Sequence, residues 1–304
     1  MVIKQEDMHL PVDYSMIEDN LFLGNVMAAH DLDVMRLIGT RRVLTVRNVG
    51  IDDSCRLPDV QYGHIQLNDT HNDDLLTHFP RAHRFIDNGL SQSQPVYVHC
   101  RMGRSRSVTI VVSYIMWRDR IGYREAMRRV RQRRPIARPN SGFRFQLKLF
   151  EAMNYSFDPL NHQFREYLLN RFLYVCQKRI VYGIVDTDQT IQHKFFAILQ
   201  STAIDDDQFG CQYQCARCRS VLFSDIQVLR YNKCFVFTEP TAWLSANVYS
   251  QVSGSVQCPQ CLAPIGLFNW RQFCRIKFTT DSIGRQSSLR QLCVFKFYLN
   301  ELIY

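Results

Sequence analysis

Residues 96–112 constrain this chain more than any other stretch. Val96-Tyr97-Val98-His99-Cys100-Arg101-Met102-Gly103-Arg104-Ser105-Arg106-Ser107 runs on into Val108-Thr109-Ile110-Val111-Val112. A β-branched and aromatic run stops at a cysteine, a short loop containing Gly and Arg follows, and then comes an apolar segment long enough for a buried helix. The pattern predicts a strand, an anion cradle and a helix. Five residues separate Cys100 from Arg106. The loop can therefore curl round one tetrahedral anion with its backbone N–H groups aimed inward, at the positive end of the following helix. Cys100 then lies at the bottom of the curl.

The side chains of the loop suit a reactive thiol. A cysteine at its reference pKa of about 8.5 is mostly protonated at neutral pH, whereas one in an anion-binding loop at a helix N-terminus falls by several units. Arg106 offers a planar, permanently charged fork that can grip two oxygens bidentately. Ser107 can donate its hydroxyl to the Cys100 sulfur, and His99 reads as a brace for the loop rather than a proton carrier. The competing reading is a buried cysteine used as a small hydrophobe in a loop that binds anions without catalysis.

Around this stretch, strands and helices alternate. Arg42-Val43-Leu44-Thr45-Val46 and Val60 to Leu67 read as strands. Ala28 to Ile38, Leu75 to Leu90, Ser105 to Trp117, Tyr123 to Arg134 (stopped by Pro135) and Ser141 to Met153 read as helices. Such alternation predicts an α/β fold, a parallel or mixed sheet covered on both faces, with ligands beyond the carboxyl ends of the strands. The first domain is expected over 14–155, a largely helical connector over 156–200, and a β-patterned, Cys-rich module over 201–304.

The bulk numbers fit a two-domain soluble chain: 304 residues, 46% of them hydrophobic. Met1 to Val12 lacks the apolar core of a secretory signal, and no stretch approaches a membrane span. The cytoplasm, the nucleus or both are therefore the expected location. Eleven cysteines in such a chain argue for metal binding or catalysis rather than disulfides. The formal charge of +9 is concentrated: from Arg118 to Lys148, 11 basic residues face only Asp119 and Glu125. The Arg128 to Arg138 part of this stretch suits acidic peptides, phosphoinositides or RNA. It lacks the interleaved aromatics of a single-strand RNA platform.

His99, Cys100, Gly103, Arg106 and Ser107 resemble the H-C-x-x-G-x-x-R-S signature of cysteine-dependent phosphatases. The resemblance widens to dual-specificity phosphatases through Asn20-Leu21-Phe22-Leu23-Gly24, Ser113-Tyr114-Ile115-Met116, and Arg138-Pro139-Asn140-Ser141-Gly142-Phe143 with Gln146-Leu147. It implies a central mixed sheet flanked by helices. It also implies cofactor-free hydrolysis of phosphotyrosine and phosphoserine or phosphothreonine in proteins, through a phosphocysteine intermediate. That route needs an acid for the leaving oxygen, able to activate water in the second step. Chemistry alone permits Asp69, Asp73 or Asp74. The resemblance selects Asp69, because in the family the acid lies six residues before the first Leu of the next helix, here Leu75. Arg101, Met102, Gly103, Arg104 and Ser105 complete the substrate-binding loop. The basic pair Arg101 and Arg104 resembles the two-lysine loop of lipid-phosphate phosphatases, which makes phosphoinositide hydrolysis the alternative.

Near the other end, Cys215-Ala216-Arg217-Cys218 and Cys258-Pro259-Gln260-Cys261 form two C-x-x-C knuckles. Four thiolates would close one tetrahedral Zn²⁺ site with no position open for water, so this zinc would be structural. With Tyr213-Gln214, Glu239-Pro240-Thr241-Ala242-Trp243-Leu244 and Gly266-Leu267-Phe268-Asn269-Trp270, the knuckles resemble the zinc-binding domain of type-twelve dual-specificity phosphatases. Cys234 and Cys274 match ligands of that group's further metal site, but Ile276 and Lys277 replace its last Cys and Gly. Cys211 or Cys293 is left to compensate; Cys55 and Cys176 read as structural. The likeness further implies a protein or pre-ribosomal partner for the module, and a role in ribosome maturation with catalysis secondary is the third reading.

Overall fold

The computed structural model describes residues 10–158, 160–161, 163–168, 170–171, 211–231, 235–238, 241, 243, 253–269, 273–275, 290–292, 295–298 and 302–303. The chain divides into two compact units, residues 1–156 and 157–304.

In the first unit, strands β1 (Tyr14–Glu18) and β2 (Leu21–Gly24) form a hairpin. Helices α1 (Val26–His30) and α2 (Leu32–Leu37) follow, then β3 (Arg42–Val46), β4 (Gln61–Ile65) and α3 (Phe79–Leu90). The unit continues through β5 (Val96–His99), α4 (Arg106–Asp119), α5 (Tyr123–Arg133) and α6 (Ser141–Ala152). The sheet order is β1-β2-β5-β3-β4, with β2, β5, β3 and β4 mutually parallel and β1 antiparallel at one edge. Cys100 follows the carboxyl end of central strand β5, where parallel sheets leave room for ligands.

Two expected helices differ in detail. The pattern from Ala28 to Ile38 is broken at Asp31, whose extended backbone ends α1 and whose carboxylate caps α2 through the N–H groups of Asp33 and Val34. The pattern from Leu75 opens with a 3₁₀ turn, Leu76–His78, before Pro80 seats the first turn of α3.

Helix α4 is buried continuously from Arg106 to Met116, which its all-round apolar character anticipates. Each buried Val or Ile there is worth about 1.5–3 kcal/mol relative to exposure. Ser113 donates to the Ile110 carbonyl at 2.8 Å and sits 2.9 Å from His83 Nε2, so the polar groups inside this core are paired. His83 stacks between Phe79 and Trp117.

Burial pushes the imidazoles of His83 and His99 down to about 3. Both are neutral in the fold, while an unfolded histidine takes up a proton near pH 6.5. Their stabilisation is therefore complete above about pH 6.5 and lost as pH falls toward 3, by about 1.4 kcal/mol per pH unit for each ring. Urea midpoints measured at about pH 7, 6 and 5 should fall steadily, in a window where carboxylates remain mostly ionised. A flat midpoint would contradict two buried neutral histidines.

Four of the eleven basic residues of the stretch enter ion pairs within the first unit. Arg118 bonds Glu18 and Asp119, Arg129 bonds Asp119 and Glu125, Arg128 bonds Glu125, and Arg134 bonds Asp13.

In the second unit the described strands are β6 (Gln212–Cys215), β7 (Val221–Ser224), β8 (Val228–Tyr231), β9 (Phe235–Thr238) and β10 (Ser253–Gln257). Beyond them lie β11 (Pro264–Asn269), β12 (Phe273–Arg275), β13 (Arg290–Leu292), β14 (Phe295–Tyr298) and β15 (Leu302–Ile303). They form antiparallel sheets in the orders β10-β11-β14-β9-β8, β15-β6-β7 and β12-β13. Residues 163–168 and 170–171 of the expected connector are helical; from residue 172 to 210 the chain lies outside the described residues. No helix among the described residues is long and apolar enough to cross a membrane.

Candidate active site and metal centre

The cradle is assembled between β5 and α4. Cys100 is 1% exposed, and the Ser107 hydroxyl donates to its sulfur at 3.2 Å. Burial alone would push the thiol up. The Arg106 charge, the Ser107 hydroxyl and the backbone N–H groups of Ser107 and Arg104 outweigh it and hold the thiol below its ordinary value. His99 is fully buried, with Nε2 2.9 Å from Thr45 Oγ1, a neutral brace across β5 and β3.

Arg106 is 6% exposed and donates Nη1 to the Leu67 carbonyl at 3.2 Å. Its Nε is buried without a hydrogen-bond partner and lies 3.6 Å from Asp69 Oδ2. A buried unpaired donor is costly, and an anion in the loop would satisfy it. Gly103 has φ +61°, and a Cβ there would lie 2.5 Å from the Gly24 carbonyl, so the turn admits only glycine. Along the rim, Ser105 is buried, Arg101 is half-buried, and Met102 and Arg104 are exposed.

Of the three candidate acids, Asp69 reaches the cradle. Ser105 Oγ donates to its Oδ1 at 2.7 Å and Asn140 Nδ2 at 2.8 Å. Asp73 instead accepts from the Thr70 N–H and hydroxyl, and Asp74 accepts from the N–H and hydroxyl of Thr77. Three residues that organise this loop carried no role in the sequence reading. Asn140 caps α6 through the Phe143 N–H while its amide holds Asp69 and the Thr70 carbonyl. Gln146 accepts from the N–H groups of Leu75 and Leu76 and donates to the Asp73 carbonyl. Arg134, 1% exposed, bonds the Gly103 carbonyl. The available signal was the Pro139-Asn140 and Gln146-Leu147 pattern, read above as family likeness alone.

The metal candidate lies in the second unit. The sulfurs of Cys215, Cys218, Cys258 and Cys261 all lie within 4.8 Å of one another. Cys215 Sγ is 3.7 Å from Cys261 Sγ, and Cys218 Sγ is 3.5 Å from Cys258 Sγ. A tetrahedral ion with bonds of about 2.3 Å needs sulfurs about 3.8 Å apart, so the set fits. Its two halves repeat one geometry. Cys215 N donates to the Ser220 carbonyl and accepts, at its own carbonyl, from Arg219 N; Cys258 does the same with Ala263 and Leu262. Arg219 and Leu262 hold φ of +64° and +59°, left-handed conformations that close each knuckle. The four thiols titrate as one set: against a backbone bond from Ala263, burial and the three neighbouring sulfurs push the Cys261 thiol up, while against burial the Ser220 hydroxyl and backbone N–H groups bring Cys258 down to about 6. Trp243 Nε1 donates to the Leu222 carbonyl at 2.5 Å, locking the adjacent sheet. Cys234 and the side chain of Cys274 lie outside the described residues, as do Cys176 and Cys293. Cys211 is exposed and Cys55 is packed in the core.

A strand, an anion-binding loop and a helix with a lowered thiol at the base define the class of cysteine-dependent phosphatases. Residues 21–153 match the dual specificity phosphatase catalytic domain. The chain is 40% identical over 140 residues to dual specificity protein phosphatase 1B of Arabidopsis thaliana, covering 46% of this chain and 82% of that one. It is 27% identical over 288 residues to dual specificity protein phosphatase 12 of Homo sapiens (84% and 80% covered). It is 26% identical over 281 residues to tyrosine-protein phosphatase yvh1 of Schizosaccharomyces pombe (88% and 81%). The chain belongs to the dual-specificity protein phosphatase family and is a hydrolase of phosphoproteins.

Proposed function

We propose that the protein hydrolyses phosphotyrosine and phosphoserine or phosphothreonine through a phosphocysteine intermediate on Cys100. The observation that carries this reading is the convergence at one cradle of a lowered Cys100 thiol, the buried Arg106, whose Nε makes no hydrogen bond, and Asp69, tethered there by Ser105. The Cys100 thiolate attacks phosphorus, and the P–O bond to the substrate oxygen breaks as Asp69 gives that oxygen its proton. Arg106 and the loop N–H groups hold the equatorial oxygens where charge is concentrated. In the second step Asp69 takes a proton from water, the water oxygen bonds phosphorus, and Cys100 leaves as a thiolate that Ser107 stabilises.

Asp69→Asn is expected to lower kcat by about 10²–10⁴-fold, the usual span for a positioned acid. The loss should be larger for a phosphoserine peptide, whose alkoxide leaves badly, than for an aryl phosphate. Steady-state rates on both substrates test it; an equal, small loss on both would move the acid role elsewhere.

For the second unit we propose one structural Zn²⁺ held by Cys215, Cys218, Cys258 and Cys261. Bound there, the ion supplies folding free energy rather than chemistry, because the four sulfurs leave no open position. The module would serve partner binding, and a protein or pre-ribosomal particle is the partner the family likeness suggests. The phosphoinositide reading draws on exposed Arg104 and Arg138, whose backbones are joined by a 2.8 Å hydrogen bond beside the cradle. Exposed Met102 on the same rim suits a peptide side chain better than a headgroup. Parallel assays on phosphopeptides and on phosphoinositide headgroups decide between them.

A further inference from the structure

We propose that Arg134 is a positioning residue for the nucleophile: its guanidinium, spanning the Gly103 carbonyl and the Asp13 carboxylate, aims the Arg104 N–H at the Cys100 sulfur. Helix α5 ends at Arg133 because Pro135 cannot continue it, and the chain turns so that the Arg134 side chain runs inward. There Nε donates to Gly103 O at 2.6 Å. Nη2 donates to Asp13 Oδ2 at 2.6 Å, and Nη1 donates to Asp13 Oδ1 and Ser15 Oγ, each at 3.1 Å.

A trans peptide points its carbonyl and its N–H in opposite directions. Drawing Gly103 O outward to Arg134 therefore turns the N–H of the same peptide, that of Arg104, into the cradle. That N–H is one of the donors that stabilise the Cys100 thiolate. The contact is direct, because a Cβ on Gly103 would lie 2.7 Å from Arg134 Nη2. Lys could reach one acceptor but not span both, since its ammonium is a point donor rather than a fork. Asp13, ahead of β1, thereby sets the geometry of a loop some 90 residues away by holding the guanidinium plane.

This inference rests on Cys100 being the nucleophile. The test is the pH dependence of Cys100 alkylation by iodoacetamide, read at that residue by peptide mass. It compares full-length wild type, Arg134→Met, Arg134→Lys and Asp13→Asn, with thermal unfolding run alongside to establish that each variant folds. Both Arg134 variants are expected to shift the alkylation midpoint up by about one pH unit, a tenfold loss of thiolate below the midpoint, and to lower kcat/KM in parallel. Asp13→Asn should shift it part of the way. Wild-type behaviour in Arg134→Lys would show that charge suffices and overturn the proposal, as would superposed profiles for folded Arg134→Met. Should the Arg134 variants not fold, an unshifted Asp13→Asn profile overturns it. A wild-type Cys100 that alkylates only at the pH of an ordinary thiol would defeat the nucleophile reading instead.

Discussion

Cys100→Ser is expected to lower kcat/KM toward phosphopeptides by about 10⁴-fold or more, the scale on which removal of a nucleophile from a cooperating set acts. The substitution is nearly isosteric, so the loop should keep its shape. What changes is ionisation. Arg106, the Ser107 hydroxyl and two backbone N–H groups bring the thiol below its ordinary value against the cost of burial. The same donors cannot bring an alkanol near neutrality. The 3.2 Å bond from Ser107 to the sulfur would then join two hydroxyls, with no anion between them to stabilise. The cradle itself should persist, because its anion-binding groups are backbone N–H groups and the Arg106 fork. The variant should therefore still bind inorganic phosphate, measurable by calorimetry, while turnover vanishes. Equal hydrolysis of a phosphopeptide by wild type and variant would sink the nucleophilic role.

Cys258→Ser, or removal of metal by a chelator, is expected to unfold the second unit and leave phosphopeptide turnover in place. The four sulfurs come from two knuckles about 40 residues apart in sequence, each at a strand end. Without an ion, four thiols within 4.8 Å repel as they ionise or remain protonated with few partners. With it, apparent binding free energies of about 10–16 kcal/mol are available to folding. Calorimetric scans should lose the transition of this unit, and metal analysis of purified protein should find zinc. Protein purified without zinc, and stable without it, would refute the assignment.

Much of the active loop was legible in residues 96–112. The β-branched run, the cysteine, the glycine and the apolar helix are local, and turn, strand and helix preferences act over such short separations. The fate of α5 was legible as well, since Pro135 stops a helix from any context. Less so was the division at Asp31, where a carboxylate that could sit on a helix surface instead caps a second one. The basic stretch shows the limit most clearly. Eleven positive charges against two acids read locally as one basic face, yet Arg118 pairs with Glu18 of β1 and Arg134 with Asp13 just ahead of it, partners more than 90 residues away that no local pattern reveals.

The sequence by itself picked out Cys100 and Arg106 as candidates and each of the two C-x-x-C knuckles, because each is written as a fixed spacing within one turn or one loop; that the knuckles, 40 residues apart, bring their four sulfurs together is a matter of tertiary structure. Chemistry left Asp69, Asp73 and Asp74 open and the family resemblance singled out Asp69; the tertiary structure supplies the physical reason, holding Asp69 against the cradle through Ser105 and Asn140, which are 36 and 71 residues distant. It also decided that Arg134 lies against Gly103 and Asp13, 31 and 121 residues away. Contacts at such separations depend on how strands and helices pack, and no local preference encodes them.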